Sequence, residues 1–280
     1  VEKSVRETPM QMTATDRQIL LDKSLNYRVL NLASNTFNEN ETSYFHKSIG
    51  GYHAAKLRRY QEVIEAYIHP EMQKLMTAVQ EAGGDMTKIN GDSIFPVLNM
   101  LNAKYFILPL QAGQTVPLQN PYVYGNGWFV DRLDYVDNAN QELDRVGKLN
   151  LRHHAVADRK FEKQLGKAVA ENETALVKLT AYEPNKLTYQ VKSDKGGVVV
   201  FSEVYYPGWE ATVDGNPVEL GRVNYILRAI NVQPGTHQVV LSFYPKSVDG
   251  TETIAYVAYA ILLAMIGLSV YFETRKKKTV

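Results

Sequence analysis

Residues Thr253–Phe272 read TIAYVAYAILLAMIGLSVYF, twenty positions without one charged side chain. At ~1.5 Å rise per residue a helix of this length spans ~30 Å, the thickness of a bilayer's hydrocarbon core. Tyr256, Tyr259 and Tyr271 lie toward its ends, where aromatic belts form. A fully buried core helix is the competing reading, but it needs a large shell of protein around it and rarely ends a chain. Residues 252–272 are therefore expected to form a transmembrane helix.

The flanks orient that helix. Arg275-Lys276-Lys277-Lys278 follows it, whereas Lys246 on the other side is offset by Asp249 and Glu252. The positive-inside rule makes 273–280 a basic cytoplasmic tail and leaves residues 1–250 outside, periplasmic in a Gram-negative cell. A body of that size does not cross a membrane unaided, and the chain opens at Val1 without a charged-then-apolar leader. The expectation is a longer polypeptide in the cytoplasmic (inner) membrane, whose upstream part supplies translocation. A tail-anchored protein with a cytosolic body is the alternative, against which the basic tail argues.

Composition narrows the classes. Apolar residues make up 45% and charged residues 22%, with a net charge of +1, a balance unlike that of a nucleic-acid binder. With no cysteine, disulfides and thiolate metal sites are excluded. About 250 residues outside the membrane suffice for one or two domains.

Along the chain an α+β organisation emerges. Residues 1–175 read as a mixed α/β domain, with helical patterns at Asp16–Leu21, after Gly50-Gly51, at Asn138–Val146 and between Asp158 and Lys167. Strand patterns lie at Tyr27–Leu32, 104–110 and Gly127–Val130. Pro70 suits the first turn of a second helix that Gly83-Gly84 ends, and Asp92 or Ser93 is placed to cap a helix running to Leu101. Residues 176–248 lose the helical period. Six short β-favouring runs, Val223–Ile230 among them, are separated by Pro184-Asn185, Asp194–Gly197, Pro207-Gly208, Asp214-Gly215 and Pro234-Gly235. This pattern predicts an antiparallel β-sandwich of jelly-roll type.

Two constellations carry candidate chemistry. In HKSIGGYHAAKLRRY (46–60), Gly50 and Gly51 precede a helix and would leave backbone N–H groups for an anion, with charge added by Lys47, His53, Lys56 and Arg59. A tight turn into a helix with a solvated basic face is the plainer alternative. In the second, Tyr205-Tyr206-Pro207-Gly208-Trp209, the aromatic rings suit stacking on sugars; filling the sandwich core is the competing role, and the alternating strands favour it. His46, His53 and His153-His154 lack a carboxylate at ligand spacing, so no metal is expected. No acid/base pair, nucleophile motif or cofactor fingerprint stands out. Asn40-Glu41-Thr42 and Asn172-Glu173-Thr174 match a glycosylation acceptor pattern by chance frequency.

SEVYYPGWEATVDG, NYILRAINVQPGTHQVVLSFYP and the terminal apolar helix resemble the C-terminal region of bacterial YfhO-type membrane proteins. HKSIGGYHAAKLRRYQEVIE, FPVLNMLNAKYFILP and NPYVYGNGWFV resemble the preceding extracytoplasmic part of Bacteroidetes members. The resemblance implies an upstream transmembrane bundle of the same polypeptide, related to GT-C glycosyltransferases, that passes sugar from a polyprenyl-phosphate carrier to a cell-envelope glycan or lipid acceptor. Chemistry in that class uses an acidic residue of an early outside loop. The present chain is therefore expected not to catalyse alone but to cover the membrane site and help hold an acceptor. A membrane-tethered carbohydrate-binding or structural module, with no catalysis, is the alternative.

Overall fold

The computed structural model describes residues 10–169 and 175–277; Val1, Asn172-Glu173-Thr174 and the tail residues 278–280 lie outside these. The fold is α+β. The described residues up to Tyr205 form one compact unit with Glu210–Ser242, while Tyr206–Trp209 and the chain from Phe243 onward form a second.

Local chemistry explains the helices of the first unit. Thr13 accepts the Asp16 N–H and Asp16 accepts the Thr13 N–H, a reciprocal capping box that starts the helix Ala14–Ile19. A long helical run begins at Arg58–Val63, widens into a π turn at Ile64–Ile68 and continues as His69–Glu81. The wide turn falls where Pro70 has no N–H to return to the preceding turn and its ring would crowd it. The run ends as the sequence predicts: Gly83 and Gly84 both adopt positive φ, their N–H groups bonding the Gln80 and Val79 carbonyls in a Schellman closure.

The stretch 91–101 departs from expectation. It forms two short helices, Gly91–Ile94 and Pro96–Met100, broken at Phe95, and neither Asp92 nor Ser93 caps them. Glu71 does the capping from a distant helix, accepting the Val97 and Leu98 N–H groups at 2.9 Å each. Asp92 instead holds Arg152.

Strand β1 (Arg28–Asn31) runs parallel to β2 (Ala103–Pro109), which pairs antiparallel with β3 (Thr115–Gln119). The short β4 (Gly127–Phe129) leaves this region. Strands β5 (Arg132–Val136) and β6 (His154–Asp158) pair in parallel, with the helix Ala139–Val146 crossing between them.

Residues 176–243 supply the sandwich strands β7 (Leu176–Glu183), β8 (Lys186–Ser193), β9 (Gly197–Val204), β10 (Trp209–Val213), β11 (Asn216–Val218), β12 (Gly221–Val223), β13 (Leu227–Val232) and β14 (Gly235–Phe243). They arrange as β11-β10-β14-β8-β7 and β12-β13-β9-β4. Strand β8 alternates buried and open positions, as a half-buried strand must. Strand β9 is buried almost throughout because both its faces are covered. Phe201 meets Tyr189 of the facing sheet, ring centroids 4.7 Å apart, while Val198 and Val200 join the core that contains Leu30, Phe95, Phe106 and Trp128. Strand β4, from the segment read as the N-terminal domain, is the edge of this sheet, pairing Gly127–Phe129 with Phe201–Val199. One hydrophobic core thus runs from Leu30 to Ala229 across the boundary expected near 175.

Two hairpins make a contrast. Asp214 and Gly215 both take positive φ (51° and 81°), the two-residue turn that Asp-Gly announces. Val223–Ile230, read as one strand, is instead two strands joined by a turn in which Asn224 and Tyr225 have φ of 48° and 71°. A tyrosine resists that conformation, and neighbours impose it: Asn224 exchanges two hydrogen bonds with Val156, and Glu142 accepts the Tyr225 N–H.

In the second unit a helix runs over Lys246–Lys277, and its stretch Gly250–Phe272 is long and apolar enough to cross a bilayer. None of its most apolar window is buried within the chain, unlike the helix of a soluble core.

Candidate functional site

A cleft of about 350 Å³ opens between the 48–60 segment and the start of β1. Gly50, Gly51, His53 and Lys56 line it, together with apolar Ile49, Leu57, Leu101 and Val204 and with Arg28 and Tyr60. Four of the six residues read as an anion site from the sequence therefore share one cavity.

The glycines act otherwise than the sequence suggests. The helix starts at Arg58, seven residues beyond Gly51. The Gly50 N–H donates to Ser48 Oγ at 3.0 Å and the Gly51 N–H to the Thr36 carbonyl at 2.7 Å, so neither is left for a ligand. A Cβ on Gly50 would sit 1.9 Å from that carbonyl, and Gly51 has φ of 106°. Both glycines let the chain pass against the 36–39 loop.

Lys47 and Arg59 point elsewhere. Lys47 lines a neighbouring cavity of about 430 Å³ with Asp22, Asn26 and His46. Its Nζ donates to Asn26 Oδ1 at 2.8 Å and stands 3.1 Å over the Tyr182 ring. Desolvation, reinforced by Arg28 and opposed by Glu203, brings its ammonium down to about 8. Arg59 faces Glu142 at 3.4 Å and the Tyr225 ring.

Within the cleft Arg28 is committed. It donates to the Leu101 and Ser202 carbonyls at 2.8 and 2.6 Å and pairs with Glu203 at 3.1 Å. Tyr60 donates to the Ile49 carbonyl at 2.7 Å, and its burial pushes the phenol up to about 12. Lys56, whose Nζ lies 5.3 Å from the Phe37 ring centroid, and His53, whose Nδ1 accepts the Ala55 N–H, remain as polar groups of the opening. Leu57 precedes the helix without a capping side chain, so the first N–H groups of the Arg58 run carry no side-chain acceptor of a capping kind. The cleft combines an apolar lining with the Lys56 ammonium and the His53 ring. Arg28, Leu101 and Val204 escaped the sequence reading because up to 176 positions separate them and no local pattern links them to 46–60, whereas Tyr60 closes that stretch.

Of the aromatic trio, Tyr205 packs edge-on against Phe161 at 5.9 Å and adjoins the main core. Tyr206 and Trp209 belong to the second unit, where both lie against Phe243, at 6.1 and 5.5 Å. Among the described residues no three His, Asp or Glu side chains converge as a metal site. His46 instead bonds Asp16 at 2.9 Å, and His153 bonds Asp131 at 2.7 Å.

No curated protein and no solved structure matches the chain. Residues 140–255, less than half of its length, match a family model described as bacterial membrane protein YfhO. The matched stretch runs from the β5–β6 crossover helix through the sandwich and into the apolar helix, so that over these residues the chain is similar to a family of bacterial membrane proteins.

Proposed function

We propose that this chain is the extracytoplasmic C-terminal module of a polytopic membrane protein of the glycosyltransferase kind, with its basic tail in the cytoplasm. In this reading the module does not catalyse. It holds the phosphate of a polyprenyl-phosphate sugar donor, or of a lipid-linked acceptor, beside the transferring site.

The observation that carries the reading is the composition of the Gly50–Tyr60 cleft. Ile49, Leu57, Leu101 and Val204 offer an apolar wall for a lipid tail, and Lys56 and His53 offer donors for a phosphate. The same polypeptide carries a helix long and apolar enough to enter a bilayer, where such a ligand resides. Similarity to a membrane protein family over 140–255 supports the same setting.

The test is sugar transfer by the full-length protein carrying His53→Ala and Lys56→Ala together. Transfer falls by about tenfold, the equivalent of ~1.4 kcal/mol of phosphate interaction, while the urea unfolding midpoint stays in place. Undiminished transfer would remove the cleft from the reaction and leave the module a tether.

A further inference from the structure

We infer that Tyr206, Trp209, Phe243 and Tyr244 form an aromatic collar that sits in the headgroup layer of the bilayer, directly outside the membrane-crossing helix. The collar lies within the second unit alone and involves no sugar chemistry. Tyr206 and Trp209 both pack on Phe243, and the Tyr244 N–H donates to the Gly208 carbonyl at 2.9 Å. Gly208, with φ of 97°, allows the approach: a Cβ there would lie 3.1 Å from Phe243 and 3.2 Å from Pro245. The 206–209 turn is thereby fastened to the chain entering the apolar helix.

Two of these rings are open to their surroundings, Tyr206 at 48% and Tyr244 at 58% exposure. Continuity with the apolar helix identifies what they meet. The helix starts at Lys246 and its apolar stretch at Gly250. The intervening four residues rise ~6 Å, comparable to the ~5–8 Å headgroup layer on each side of the hydrocarbon. Amphipathic aromatic rings favour that layer, with the ring body in the apolar boundary and the polar edge in water. Sugar stacking fits less well. Tyr206 and Trp209 are tilted by 51° and 40° on Phe243, so the cluster presents no continuous flat platform.

The chain holds two tryptophans, and Trp128 is buried in the first unit, bonded to the Leu151 carbonyl. Indole emission thus reports on Trp209 either as the sole indole in Trp128→Phe or as the difference between the native protein and Trp209→Phe. The full chain is reconstituted in phosphatidylcholine/phosphatidylglycerol vesicles containing nitroxide lipids labelled at the headgroup or at acyl carbon 12. Trp209 emission is quenched about threefold more by the headgroup label than by the deep one, and is shielded from aqueous iodide, whether read in Trp128→Phe or as the difference between the native protein and Trp209→Phe. Quenching by iodide with none from either lipid would place the collar in water and overturn the inference. Loss of the lipid quenching on adding envelope oligosaccharide would overturn it in favour of a sugar platform. Resistance of the chain to alkaline extraction scores insertion of the helix separately, so a failed collar is distinguished from a failed span.

Discussion

Arg59 lays its guanidinium over the ring of Tyr225, 4.3 Å from the centroid, and reaches Glu142 at 3.4 Å with the same group. Glu142 is fully buried, also pairs with Arg222 at 2.9 Å, and accepts the Tyr225 N–H. The Tyr225 hydroxyl closes the circuit on Glu62, holding that carboxyl below its usual range. A tyrosine is thus kept at positive φ by contacts on its ring, its hydroxyl and its backbone. Arg59→Ala should lower stability by about 1–3 kcal/mol, read as a shift of the urea midpoint, because it removes one counter-charge from a buried carboxylate. It should leave ligand binding in the Gly50–Tyr60 cleft intact; a binding defect at unchanged stability would return Arg59 to the site.

Gly50 and Gly83 separate two reasons for glycine. Gly50→Ala forces a Cβ against the Thr36 backbone, and urea denaturation should register a loss of about 3 kcal/mol or more. At Gly83, φ is 61° with nothing within 4 Å of an added Cβ, so Gly83→Ala should cost only ~1 kcal/mol. Equal costs would mean that the 36–39 loop yields and that the close approach is not a constraint.

Glu71 gives a pH signature. Burial raises its carboxyl from 4.5 to about 8, against the opposing pull of the Val97 and Leu98 N–H groups and of Lys74. The folded state therefore holds the proton more tightly than the unfolded chain does. Stability from this group is full below about pH 4.5, declines as pH rises toward 8, and levels off above, a change of a few kcal/mol. Glu71→Gln should flatten that decline in urea titrations run from pH 5 to 8. An unchanged slope would assign it to other groups.

What the sequence made legible was local or periodic. The Asp214-Gly215 hairpin and the Gly83-Gly84 helix end are decided by backbone freedom at two adjacent positions. The apolar run 253–272 announces its helix by length and composition. What stayed hidden depends on partners far along the chain. Asn224 alone is a faint turn signal that Tyr225 contradicts, and the contacts that hold the turn come from Glu62, Glu142 and Val156. Nothing near Pro96 shows that Glu71 will cap its helix. Strand β4 could not be placed in the sandwich before β9 was beside it. For the cleft, residue types drew attention to 46–60, but backbone packing decided that Gly50 and Gly51 are spacers and that Lys47 and Arg59 serve other neighbours.

The most direct measurement of the central claim is the affinity of the whole chain, in lipid nanodiscs, for a polyprenyl phosphate, with the unphosphorylated polyprenol as control. Saturable binding of the phosphate alone is expected, weakened about tenfold by His53→Ala with Lys56→Ala and unaffected by Lys88→Ala, a change at an exposed lysine outside the cleft. Equal binding of phosphate and alcohol, or binding indifferent to His53 and Lys56, would contradict it.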